Sequence, residues 1–131
     1  MKKTELSISH HPQHIILGIV QIAVSIVLLL HKFYFFWPPF LVAFLNDDII
    51  GGCGIIFGVW LIKWALSDKS SLSVNRNLLL FSSFFWGFEA TAEICHAVVA
   101  RQAHMLTAGI LEIGLFLFTL SIIGKSKKHQ Y

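Results

Sequence analysis

Along the 131 residues, four apolar runs alternate with short polar stretches. The runs cover about 14–32, 49–66, 78–100 and 105–123. A helix rises about 1.5 Å per residue and a bilayer core is about 30 Å thick, so each run is close to the length of one crossing. The pattern predicts an all-α integral membrane protein, a single domain of four transmembrane helices in up-down order. Residues 1–13 and 124–131 read as polar tails, and 67–76 and 101–104 as short turns. Lys2 and Lys3 precede the first run as they would in a signal peptide. That run leads into His31-Lys32-Phe33-Tyr34, with no small-residue cleavage pattern, so it is read as a retained span.

The stretch 33–48 is a different kind of connection. Tyr34 and Trp37 suit a headgroup-level aromatic belt, and Pro38-Pro39 stops helix propagation. The following FLVAFL is too short to span and is expected to lie along or dip into the interface. Asn46, Asp47 and Asp48 then stand where acidic and amide side chains cap the second helix. Trp60 and Trp64 flank Lys63 and read as interface anchors around a snorkelling cation, while Trp86 lies nearer mid-span.

Small residues mark the expected helix contacts. Gly18, Gln21 and Ser25 share a face of the first run, and the second carries Gly51, Gly52, Gly54 and Gly58. The Gly54-x-x-x-Gly58 spacing lets two backbones approach closely, so these two glycines are expected at a helix–helix seam.

Charge sets the expected orientation. Lys2, Lys3, Lys63, Lys69, Arg76, Lys125, Lys127 and Lys128 fall at one end of the spans, and Lys32 and Arg101 at the other. The positive-inside rule then puts both termini in the cytoplasm and the 33–48 loop outside. A composition 56% hydrophobic, with a mean hydropathy of +0.72, excludes an ordinary soluble domain. No basic, aromatic-interleaved soluble segment is present to hold nucleic acid.

The third run carries the candidate chemistry. Glu89, Glu93 and His96 fall within about 60° of one another on a helix turning 100° per residue, one narrow stripe extended by Ser82 and Trp86. Ionisable groups facing lipid cost several kcal/mol each, about 2.5–3.5 on insertion scales, so the stripe must face other helices or water. Glu112 of the fourth run and Gln21 of the first reach the same depth. Carboxylates crowded in low dielectric cannot all ionise, so at least one is expected to hold a proton near neutral pH. Glu89, Glu93, His96, Glu112 and Gln21 are therefore the candidate proton- or cation-binding residues. A divalent metal held by Glu93, His96, His31, Asp47 and Asp48 is a weaker expectation. Haem between His31 and His96 is disfavoured.

Glu93-x-x-His96 resembles the Glu-x-x-His pair of di-iron helical bundles. Those sites need the pattern on two helices, and the fourth run offers only Glu112. Cys53 and Cys95 form no CxxC motif; both fall in the outer half of the membrane, where pairing is conceivable but coincidence of depth explains them better. His10, His11, His14 and His129 read as solvated tail or interface residues. The leading expectation is a small transport protein moving protons or cations, as a homo-oligomer or in a larger membrane complex. The alternative is a non-catalytic accessory, immunity or holin-like protein with structural glutamates. The resemblance to holins is limited to small size, several spans and a basic tail, and mid-span glutamates are not part of it. No nucleophile–base spacing supports an enzyme.

Overall fold

The structure is a computed structural model that describes residues 11–31, 34–67 and 71–128. His10, His129, Lys2, Lys3, Lys32 and Lys69 lie outside the described residues. Among these residues five helices follow in order: α1 (Pro12–Leu30), the single turn α2 (Val42–Leu45), α3 (Asp48–Ala65), α4 (Leu72–Ala100) and α5 (Ala103–Lys128). Among the described residues there is no strand, and four helical stretches are long and apolar enough to cross a membrane.

Local chemistry explains the boundaries. Pro12 opens α1 at a position where its missing N–H costs nothing. Asp47 caps α3, its Oδ1 accepting from Ile49 N at 2.9 Å. Ser71 caps α4 from farther back than the apolar run implies. The polar SVNR segment, expected as loop, is helical because Asn75 turns its amide inward to partners on α1 and α5. At the other end of α4, Arg101 adopts a left-handed φ of 54°, and its N–H and that of Gln102 both bond to Ala97 O. Two residues, Arg101 and Gln102, thus reverse the chain into α5.

The helices pack as two tight hairpins, α1 with α3 and α4 with α5, joined mainly across α3 and α4. Glycine makes the first hairpin tight. A Cβ on Gly18 would lie 2.7 Å from Gly58 O, and one on Gly58 would lie 2.7 Å from Ile22 Cγ1. A Cβ on Gly54 would collide with Ser25 Oγ. Gly54 and Gly58 thus stand against α1. In the second hairpin, Gly109 brings α5 within reach of the Glu93 Cβ and the Ile94 backbone.

Two apolar clusters occupy the two ends of the bundle. Leu17, Leu61, Trp64, Ala65, Leu78, Leu79, Trp86 and Ile122 fill the end nearer the termini. Phe35, Leu45, Ala92, Ala97 and Met105 fill the end under the 34–46 loop. Between them each long helix except α3 contributes buried polar side chains: Gln21 and Ser25 from α1, Ser82, Glu89 and Glu93 from α4, Glu112 and Thr119 from α5.

Two expected interface residues are in fact interior. His14 is buried and bonds Asn75 Oδ1 through Nε2 at 2.7 Å, with Asn75 Nδ2 reaching Ser126 Oγ at 3.4 Å. Trp64 is buried against His11 and His14, and its Nε1 donates to Ser71 O. Both are covered because α4 extends past Leu78 and packs its first turns against them. Trp60, by contrast, is exposed.

Candidate functional site

The loop 34–46 closes over the polar layer instead of lying flat on the bundle end. Phe35 is wholly buried, and Asn46 grips its backbone on both sides: Oδ1 accepts from Phe35 N at 3.0 Å and Nδ2 donates to Phe35 O at 2.6 Å. Asn46 is therefore a loop clasp, while Asp47 does the capping. The loop holds a cis peptide bond between Trp37 and Pro38. Phe40 and Phe44 project outward from it.

His96 is the post to which the loop is tied. Its Nε2 accepts from Phe36 N at 3.2 Å and Trp37 N at 2.9 Å, while Nδ1 faces Ala92 O at 2.8 Å. This network assigns the hydrogen to Nδ1 and leaves the ring neutral. Both nitrogens are committed to backbone, so His96 is not free to bind a cation, ligate a metal or hold haem. It belongs to the site by fixing the loop above it.

The proposed metal set does not converge. Among the described residues no group of three or more His, Cys, Asp or Glu side chains could hold a metal ion. His31 turns its Nδ1 back to Val27 O on its own helix, Asp47 caps α3, and Asp48 is exposed. Depth along the helices groups these five, whereas their side chains face separate tasks. Cys53 and Cys95 are both free and exposed.

The carboxylates do come together. Glu89 and Glu93 are each 1% exposed and Glu112 is 7% exposed. The three are close enough for their charges to act on one another, and all three act on the Tyr34 phenol. Tyr34 OH donates directly to Glu93 Oε1. Burial, then that bond and the charge of Glu93, hold the Tyr34 phenol well above its ordinary range, so it stays a hydroxyl. Gln21 stands across α1 and α3, its Nε2 donating to Gly54 O at 3.1 Å.

Much of this layer has no protein partner. Both oxygens of Glu89, Oε2 of Glu93 and of Glu112, Oε1 of Gln21, the hydroxyls of Ser25 and Ser82 and Nε1 of Trp86 are buried and make no hydrogen bond among the described residues. Thr119, a conceivable partner for a glutamate, spends its hydroxyl on Leu115 O. Buried polar atoms are ordinarily paired, and leaving one unmade costs about 1–3 kcal/mol. Here they are carried by α1, α4 and α5.

Sequence reasoning missed two parts of this arrangement. Asn75 lies on the same helical stripe as Glu89, two heptads earlier, a signal that periodicity does contain. Tyr34 had no such signal, since only the folding back of the loop sets it on Glu93. No family model, curated protein or solved structure matches this chain.

Proposed function

We propose that this chain is a multi-pass membrane protein, with both termini cytoplasmic, that moves protons through the Glu89–Glu93–Glu112 layer. The observation that carries the reading is Glu89: almost fully buried, it bonds no protein group through either oxygen. A glutamate serving as structural glue would bond a neighbouring helix, and the energetic cost of burying it would then have a local return. Glu89 has no such bond. A carboxyl group in that position is suited to accepting and releasing a proton.

Protons fit better than metal cations because the carboxylates lie within Coulomb reach without converging on one coordination point. Three of them in low dielectric share protons rather than carry three charges. Each transfer then runs along the stripe or across to α5, with water relaying the proton between carboxyl oxygens that do not bond one another. Four spans make a narrow bundle, and a continuous path across the membrane needs more than one such bundle supplies, so a homo-oligomer is the expected working form.

Flux measured in liposomes holding a pH-sensitive dye, under an imposed potential, tests this directly. Glu89→Gln and Glu112→Gln keep shape but cannot titrate, so each should abolish flux while the protein still folds and inserts. Unchanged flux in both, or no flux in the parent protein, would return the glutamates to a structural role and favour an accessory protein.

A further inference from the structure

We propose that Tyr34 is a working member of this site, passing protons between Glu93 and the end of the bundle covered by the 34–46 loop. The inference rests on the reading of the glutamates as proton carriers, and it names the residue through which they communicate with one aqueous side.

Four observations carry it. The side chain is half-buried, running from the partly exposed loop inward to the polar layer. Its hydroxyl donates to Glu93 Oε1. The chain around it is held at several points: Tyr34 N bonds His31 O at 3.1 Å, Asn46 clasps Phe35, and His96 accepts from Phe36 and Trp37. Finally, Glu93 Oε2 is buried without a protein partner, so this carboxyl has one oxygen toward Tyr34 and one toward the interior. A tyrosine acting only as a membrane-interface anchor would aim its hydroxyl at headgroups. This one is aimed inward, by a loop clamped on both sides.

The transfer balances without an ionised phenol. The Tyr34 oxygen accepts a proton from a hydronium ion at the loop end, which leaves as water, while its own hydrogen passes to the Glu93 carboxylate, so one O–H bond forms and one breaks at the phenol. The hydroxyl then rotates to face Glu93 again, and the proton on Glu93 moves on toward Glu89 or Glu112. The charged and titratable groups facing this step are Glu93, Glu89 and Glu112, with His104 acting on Glu93. His96 is a positioning residue here, since it touches the loop backbone and not the proton path.

Tyr34→Phe keeps the ring and its packing against Phe35 and removes only the hydroxyl. In the same liposome assay, it should lower flux by about a hundredfold or more, the scale of losing one positioned proton-transfer group, with its melting temperature close to that of the parent. Tyr34→His restores a group that both donates and accepts, and should recover part of the flux. Parental flux in Tyr34→Phe, with Glu89→Gln silent, overturns the role of Tyr34 and leaves the glutamate reading standing. Equal loss in Tyr34→Phe and Tyr34→His makes the residue structural and also overturns it. No flux in the parent protein ends both. Should Tyr34→Phe fold poorly, infrared difference spectra of Tyr34→His decide the point. Its imidazole must perturb the Glu93 carboxyl band, assigned with Glu93→Gln, and an unperturbed band sinks the proposal.

Discussion

At the scale of single residues, commitment of hydrogen-bonding atoms separates look-alike candidates. His96 and Glu89 sit on one stripe and are equally buried. Every polar ring atom of His96 is used by backbone, whereas Glu89 has both oxygens unspent. The first is therefore a structural tie and the second a group with chemistry left to do. His96→Ala should release Phe36 N and Trp37 N and destabilise the protein by about 1–3 kcal/mol, given about 0.5–1.5 kcal/mol for each hydrogen bond lost. Thermal unfolding in detergent measures this. His96→Gln, whose carbonyl can accept in the same direction, should recover part of the loss. If His96→Ala unfolds with the parent, the loop is held by Asn46 and Phe35 alone.

Among the elements, the α1–α3 hairpin depends on the absence of side chains. The backbone oxygen of each of Gly18 and Gly58 stands within 3.0 Å of where the other's Cβ would be, and Ile22 packs onto the same spot. Gly58→Leu has no room and should cost about 1–3 kcal/mol by overpacking, read as a lower melting temperature or a changed oligomeric state. Gly52 and Gly114 have no atom within 4 Å of a Cβ, so Gly52→Ala and Gly114→Ala serve as controls that should be tolerated. Unchanged behaviour in Gly58→Leu would mean that the hairpin can separate without consequence. The loop 34–46 is the other decisive element. Its aromatic and amide residues look like an interface segment in the sequence, yet they seal one end of the polar layer because Asn46 and His96 bind its backbone.

For the whole molecule, the prediction is topological. Charges of Lys and Arg divide eight to two between the ends of the helices, so reporter fusions at residue 131 should be active on the cytoplasmic side. A cysteine at Asn46 would break the clasp, so accessibility is better probed at Phe40, which is 82% exposed. In a background with Cys53 and Cys95 replaced, Phe40→Cys should react with a membrane-impermeant thiol reagent added outside. Labelling only after permeabilisation would invert the topology and place Tyr34 on the cytoplasmic side of the glutamates.

Four apolar runs, the capping acid Asp47, the glycine spacing and the stripe of Glu89, Glu93 and His96 are all local properties, set by period and composition. They are legible in the chain itself because a helix repeats every 3.6 residues and ionisable groups cannot face hydrocarbon. The longer α4, with Asn75 folded inward, is half legible, since its stripe continues past the apolar run. What only the tertiary structure decides is which atoms meet. Depth groups His31, Asp47 and Asp48 with His96 above the glutamates, but the fold turns each of the three to other work. Tyr34 is distant in sequence from Glu93 and carries no periodic relation to it. It joins Glu93 because a loop with no repeat of its own is drawn over the bundle by long-range hydrogen bonds, and contacts of that kind have no signature in a linear pattern.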